Sequence, residues 1–291
     1  MNSSGPLISI GMPVYNEERF IREALESLVS QTYGNVEIII SDNCSTDATL
    51  SISNEFSARY KNVRVVQNQQ NCGAVHNFQK VYDEARGEYF MWASGHDVWD
   101  GEFLEHAVWA HEACEASIVF GSASWIDERS CIFSKSSGWL DSRGMDDIAR
   151  FYSVFWGNMN PVLGLIRCDA MKGIRLKNIV GADFLLLLEL ATKGDFIHSV
   201  DSRWRRREFR SEQAYKDKLK RYKSAEFKFN EGSISRFFPL LYLGFSLYSL
   251  VLKSRLKLVS KVMVLLSLPL LLPLKYISGE TINRRDSSNV S

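Results

Sequence analysis

The sequence predicts an α/β fold, a mostly parallel central sheet flanked by helices, with further apolar helices at the C-terminal end. Three observations predict it. Short β-rich runs alternate with helical patterns through the first hundred residues, as repeated β-α-β units require. The run VEIIISD (36–42) is almost continuously apolar, which suits a strand covered on both faces. Two uncharged stretches, FFPLLYLGFSLYSLVL (237–252) and VMVLLSLPLLLPL (262–274), set the far end apart.

Taken in order, LISIGMP reads as the first strand. In EERFIREALESLVSQTY, Phe20, Ile21, Ala24, Leu25, Leu28 and Val29 fall on one helical face, with Asn16 as the expected N-cap. After VEIIISD a helix is expected from Ser45 or Thr46, then the strand VRVVQN. GAVHNFQKVYDEAR is helical in pattern and should close at Gly87, and EYFMWAS is the next strand. Right-handed crossovers would place ligands at the carboxyl ends of these strands, where Pro13–Glu17, Asp42–Asp47 and Ser94–Asp97 fall.

Beyond residue 100 the pattern gives a helix over 102–115, the strand SIVFGSASWID, a polar Ser- and Gly-rich stretch to about 144, and a helix before Gly157. VLGLIR is a further strand, and ADFLLLLELATKG a buried helix closed by Gly194. WRRREFRSE follows as the most basic segment. The expected organisation is a domain over 1–228 (halves 7–100 and 101–228), a membrane-associated helical region over 229–278 and a polar tail over 279–291.

Composition excludes several classes of function. The 291 residues carry 35 basic and 34 acidic side chains, so no whole-chain field attracts nucleic acid. Cys44, Cys72, Cys114, Cys131 and Cys168 are dispersed without a CxxC pair, as in a reducing compartment. MNSSGPLISIGMP has neither the basic nor the apolar region of a signal peptide. Each apolar C-terminal run is shorter than the roughly 20 residues a bilayer crossing needs. A spanning hairpin would carry Lys253, Arg255, Lys257 and Lys261 to the far side, against the positive-inside tendency. Interfacial or re-entrant helices bent by Pro239, Pro269 and Pro273, on the cytoplasmic face of the cell membrane, are therefore expected: a peripheral or monotopic protein.

Carboxylates at successive strand ends suggest a polar ligand with a divalent cation. No GxGxxG follows the first strand and no GxxxxGK[ST] occurs, so dinucleotide dehydrogenases and P-loop ATPases lose their main support.

ISIGMPVYNEERFIREALESLVSQ, VEIIISDNCSTDAT and YFMWASGHDVW, in this order and spacing, resemble the nucleotide-sugar half of family 2 glycosyltransferases, with the likeness running over roughly residues 7–225. The resemblance implies the GT-A fold and an inverting, metal-dependent transfer of a hexosyl or related group from a nucleotide-diphospho-sugar. The acceptor would be a saccharide, polyprenyl-diphosphate-linked if the apolar tail serves a bacterial surface-polysaccharide pathway at the membrane surface.

Position by position, Pro13, Tyr15 and Glu17 match the first loop against the nucleoside, and Asp42 the aspartate that binds the base. Asp47, in the same motif, is expected to act locally at a helix start. Asp97 matches the last carboxylate of the metal motif, with His96 and Ser94 where further acids are usual. Asp97 would then hold magnesium or manganese; His96 either ligates manganese or hydrogen-bonds the nucleotide. Asp183 matches the base, with Ala182 where a glutamate is common, and can also cap the helix it opens. Among Arg205, Arg206 and Arg207, the last two are the stronger candidates for the diphosphate. Trp204 would stack on the acceptor, and Asn158 and Asn160 would line its pocket.

Two alternatives stand beside this reading. A non-catalytic nucleotide-sugar-binding or membrane scaffold protein would explain His96 and Ala182 at positions of expected acids. A nucleotidyltransferase would carry a Gly-rich phosphate loop after its first strand, and GMPVYNEE has none.

Overall fold

The computed structural model describes residues 5–114, 116–135, 141–208 and 239–288. The apolar alternation of the N-terminal half becomes four parallel strands, β1 (Ile8–Val14), β2 (Val36–Asp42), β3 (Val63–Gln67) and β4 (Tyr89–Trp92), in the order β3-β2-β1-β4. The helices α1 (Ile21–Val29), α2 (Thr49–Arg59) and α3 (Ala74–Asp83) form the crossovers. Ile21, Ala24, Leu25 and Leu28 of α1 are buried against the sheet, the face their helical spacing requires.

The second half extends the same sheet as β8-β6-β9-β5, nine strands in all among the described residues. β8 (Leu165–Arg167) runs antiparallel to β4 and to β6 (Ala116–Ile126), while β9 (Asp195–Arg207) lies parallel to β6. β5 (Val98–Trp99) closes the edge antiparallel to β9, and β7 (Ile132–Lys135) pairs with β6. The sheet is thus parallel in its first half and mixed in its second. The helices α4 (Phe103–Ala113), α5 (Asp147–Trp156), α6 (Cys168–Met171) and α7 (Ala182–Ala191) cover it. Phe184 to Leu188 are all buried, as a helix apolar on every side must be.

Local chemistry shifts several expected boundaries. α1 starts at Ile21, and Asn16, in a left-handed conformation (φ 54°), ties two loops together instead of capping it. Its Oδ1 accepts from the Thr46 N–H at 2.9 Å and its own N–H donates to Ser45 Oγ at 3.0 Å. That engagement also holds residues 45–47 in the loop, so α2 begins at Thr49. α3 ends at Asp83, before Gly87, whose place reflects close approach: a Cβ there would lie 2.6 Å from the Leu7 carbonyl oxygen.

β9 is an element the sequence pattern did not suggest. Its register against β6 jumps from Gly121↔Ser199 to Ser122↔Arg203, so Val200 to Ser202 form a bulge with Val200 exposed and Ser202 buried. Gly121 permits this, since a Cβ would sit 2.0 Å from the Ser202 carbonyl oxygen. Past the bulge, Trp125 faces Arg206 and Ile126 faces Arg207.

The apolar C-terminal runs form α8 (Pro239–Lys253) and α9 (Leu258–Ser288). α9 is continuous through Pro269 and Pro273 and takes in residues 279–288 of the expected tail; the expected boundary at 228/229 and residues 289–291 lie outside the described residues. Pro269 cannot donate to the Leu265 carbonyl one turn back, and the Tyr248 hydroxyl of α8 does so instead at 3.0 Å. Val264, Leu268 and Leu272 form the buried face of α9, and Tyr152 of α5 meets Ser267 at 2.6 Å.

Replacing Gly121 with alanine is expected to destabilise the protein by about 2–3 kcal/mol, because backbone at the bulge must move; urea unfolding of wild type and variant measures it. A change below about 0.5 kcal/mol would mean that the bulge does not depend on this close approach.

Candidate active site

The loops after β1 and β2 are built against each other. The Asn43 N–H donates to the Val14 carbonyl at 2.9 Å, and the Glu17 N–H to Thr49 Oγ1 at 2.7 Å. Asp47 accepts from the Glu18 and Thr49 N–H groups at 3.2 and 2.9 Å. Partial burial works against its charge, but the Thr49 hydroxyl and these N–H donors outweigh it and hold the carboxyl below its ordinary value. Pro13, Tyr15 and Glu17 are partly accessible along this double loop. Asp42 is fully buried: Oδ2 accepts from the Ser45 N–H at 3.0 Å, and Oδ1 has no hydrogen-bond partner. An enclosed acceptor without a donor is costly, of order 1–3 kcal/mol, and a ligand group donating to it would remove that cost.

Beside it lies a polar cluster that the sequence reading missed. Asn43 Oδ1 accepts from Asn68 Nδ2 at 3.0 Å and the Cys72 N–H at 2.9 Å, while Asn43 Nδ2 donates to Asn71 Oδ1 at 2.9 Å. Asn77 accepts from Ser41 Oγ at 2.6 Å, and Lys80 Nζ donates to Asn68 Oδ1 at 2.6 Å. The available signal was asparagine next to the carboxyl ends of β2 and β3, where polar side chains are turned toward the ligand edge of the sheet.

At the end of β4 the two residues of the His-Asp pair diverge. Asp97 points inward, 2% exposed, and Oδ1 accepts from the Arg207 N–H at 2.8 Å. His96 points to the loop after β1, with Nδ1 3.1 Å from both Glu17 carboxylate oxygens. The expected roles of Asp97 and Arg207 change accordingly. Arg207 does not reach out for a diphosphate: its guanidinium is buried and donates to the His96 carbonyl at 2.9 Å, the Asp127 carbonyl at 2.8 Å, Ser130 Oγ and Glu23 Oε2. It also packs over the Phe20 ring at 4.5 Å. Arg207 and Asp97 form the floor beneath the loops.

Arg206 takes the other direction, as alternation along a strand requires. Its guanidinium lies 4.9 Å from the Trp125 ring and donates to Asn160 Oδ1 at 3.2 Å. Asn158 is exposed and accepts from the Asn160 N–H at 2.9 Å just ahead of the turn Asn160–Leu163, so Asn160 is the asparagine that meets the basic strand. Trp204 is corrected outright: it is 2% exposed and stacks on Trp99 at 6.3 Å inside the core, unable to meet an acceptor. Arg205 pairs with Asp100 at 3.2 Å.

Asp183 opens α7, preceded by Gly181 in the left-handed conformation that fills the N-cap position. Its Oδ1 accepts from the Phe184 N–H at 2.8 Å, and solvent reaches the side chain. The protein crowded around the carboxylate raises its pKa; its own and the Phe184 N–H groups, Arg206 and Lys275 of α9 oppose that rise. The charge on Arg206 thus acts on Asp183 while its neighbour Arg207 holds the loops on the other side.

For a divalent cation, the fit depends on which donors face outward. Asp97 is 2% exposed and its Oδ1 accepts from the Arg207 N–H, which leaves Oδ2 as the oxygen it could offer. His96 Nδ1 and the Glu17 carboxylate face each other at the hydrogen-bond distance of 3.1 Å, a contact they would exchange for bonds to an ion held between them. An imidazole with a carboxylate suits manganese better than magnesium. Among the described residues, no group of three or more His, Cys, Asp or Glu side chains could hold a metal by itself.

Comparison with known proteins follows the same outline. The family model described as "Glycosyl transferase family 2" matches residues 9–171. EpsE of Bacillus subtilis (strain 168), a protein with a glycosyltransferase name, is 36% identical over 97 residues, covering 33% of this chain and 35% of EpsE. TuaG of the same organism, named for teichuronic acid biosynthesis, is 29% identical over 134 residues, 46% of this chain and 47% of TuaG. The chain therefore spans less than half the length of these curated relatives. S. aureus TarS 1–349 in complex with UDP-GlcNAc superposes with a TM-score of 0.66 at 18% identity, over 89% of this chain and 70% of that one. The shared architecture is the GT-A fold.

Removing the buried Arg207 guanidinium leaves Glu23 without its ion-pair partner and the His96 and Asp127 carbonyls without their donor, so Arg207→Met is expected to cost about 3–5 kcal/mol. Arg206→Met, at a water-accessible position, should stay within about 1 kcal/mol. Denaturant unfolding of both variants tests the division of labour; equal losses would contradict it.

Proposed function

The chain belongs to glycosyl transferase family 2, and from that premise we propose that it moves a glycosyl group from a nucleotide-diphospho-sugar to a hydroxyl of a saccharide acceptor, inverting the anomeric carbon. The observation that carries the reading is Asp183, a water-accessible carboxylate whose raised pKa suits a general base and which lies under the charge of Arg206.

Asp183 takes the proton of the acceptor hydroxyl as its oxygen attacks the anomeric carbon. The carbon–oxygen bond to the diphosphate breaks on the opposite face, and its electron pair leaves with the nucleoside diphosphate. Arg206 attracts the charge that develops on the leaving phosphate. Tyr15, Pro13 and the Asn43 cluster would border the nucleoside, with Asp42 behind them. His96 and Glu17 would hold a divalent cation, manganese by preference, which when bound supplies further neutralisation of the diphosphate. A nucleotide-sugar donor draws support from TarS, solved with UDP and with UDP-GlcNAc.

The acceptor is proposed to be lipid-linked, in bacterial surface-polysaccharide synthesis, at the cytoplasmic face of the membrane. TuaG's name points toward such a pathway. The outer face of α9 exposes Leu258, Leu266 and Leu270 at 77%, 74% and 71%, and Leu258–Lys275 is long and apolar enough to cross a membrane by length and composition. The inner face is packed on α5 and α8, which favours lying on the membrane surface over crossing it. One observation favours the non-catalytic alternative: Asp97 faces inward and His96 and Ala182 supply no carboxylate.

Asp183→Asn decides between the readings. With UDP-GlcNAc as donor and a bacterial lipid extract as acceptor, UDP release should fall by about 10²- to 10⁴-fold. UDP should still stabilise the variant, by about 2.7 kcal/mol at one hundred times its dissociation constant. Transfer at the wild-type rate would sink the enzymatic reading. In the wild type the acid limb of activity should lie above the ordinary aspartate value of about 3.9, because a protonated Asp183 cannot accept a proton. Manganese should support donor binding better than magnesium, and His96→Asp should reverse the order; the same thermal shifts with each metal, or with chelator, measure this.

A further inference from the structure

α9 carries one cation toward the acceptor end of the cleft. Lys275 continues the inward face of the helix, three residues beyond Leu272 and seven beyond Leu268, both buried. Its Nζ donates to the Phe155 carbonyl at 2.6 Å and lies 5.6 and 4.9 Å from the ring centroids of Phe155 and Phe184. Phe155 is in the last turn of α5, where unpaired carbonyls favour a positive charge, and the two rings pack edge to face at 5.4 Å. Phe184 is the residue after Asp183, and its N–H is bonded to the Asp183 carboxylate.

An ammonium turned inward from an apolar helix is costly unless it gains partners. Lysines at exposed positions reach water along their stems; this one is turned into the protein. Burial lowers the Lys275 pKa, and Asp183 is the charge that raises it back. In return Lys275 is one of two cations acting on Asp183, the other being Arg206 from β9.

We propose that Lys275 is a positioning residue for Asp183, brought in by α9 to keep the carboxylate in its proton-accepting form, so that the apolar helix is part of the acceptor end of the site. The assignment rests on Asp183 being the base.

The test uses the full chain labelled with ¹³C-aspartate, in which the Asp183 carboxyl signal is identified by its loss in Asp183→Asn. In Lys275→Met that signal should titrate higher than in wild type, since removing an opposite charge from a carboxylate's surroundings favours its protonated form. UDP release from UDP-GlcNAc, with the lipid extract as acceptor, should show its acid limb displaced in the same direction. Lys275→Arg should titrate as wild type. Should the methionine variant fail to fold, Lys275→Gln, which keeps a donor for the Phe155 carbonyl without the charge, is read in the same way. An unchanged Asp183 midpoint in the neutral variant overturns the proposal. Wild-type turnover in Asp183→Asn would overturn the base assignment instead, so the two failures are distinguishable.

Discussion

The parallel pairing of β9 with β6, offset at Gly121, is the constraint on which the rest of the molecule depends. Side chains alternate across a strand, so a slip of one residue would exchange the directions of Arg206 and Arg207. In the observed register Arg207 goes under the loops after β1 and β4, and its hydrogen bonds satisfy a charge that would otherwise be prohibitive to bury. Arg206 is left to the open side, between Trp125, Asn160 and Asp183. The Val200–Ser202 bulge takes up the length difference between the two strands, and a glycine opposite lets the backbone come close enough.

Much of the first half was legible because its determinants are local. The burial of Ile21, Ala24, Leu25 and Leu28 follows from helical spacing, and the covered strand β2 from its unbroken apolar run. Asp183 was readable as the opening of an apolar helix. β9 was not, because its second half is rich in arginine and its burial is supplied by β6, β5 and α4, far away in the chain. For the same reason Trp204 looked like a surface aromatic within a basic run, whereas the sheet turns it into the core against Trp99. His96 and Asp97 posed a different difficulty. They lie in the bend between β4 and β5, where neither the strand nor the helix period says which side chain faces out.

α9 has two apolar faces, one packed on the domain and one exposed. Val264, Leu268 and Leu272 are enclosed by the domain, and Tyr248 repairs the carbonyl that Pro269 frees, so this face has no need of lipid. The opposite face keeps a row of leucines in contact with solvent or membrane. A helix surrounded by lipid would have to give up the first set of contacts, including the Tyr152–Ser267 hydrogen bond. The proposed placement flat on a membrane surface would keep them and still cover the exposed leucines.

That placement matters for the charge on Asp183. Its position in the first turn of α7 favours the anion by about 0.3–1 kcal/mol at an exposed site, less than the 1.36 kcal/mol that one pKa unit represents. The helix dipole alone therefore shifts the balance by under a unit, against the upward push of the surrounding protein. Cations close by act on the same side as the dipole and favour the ionised carboxylate. Arg206 and Lys275 are those cations, one from a strand whose register is set at Gly121 and one from a helix seated by its apolar face. Neither is near Asp183 in sequence, so the chemistry of this carboxylate is a property of the assembled fold, not of the segment that carries it.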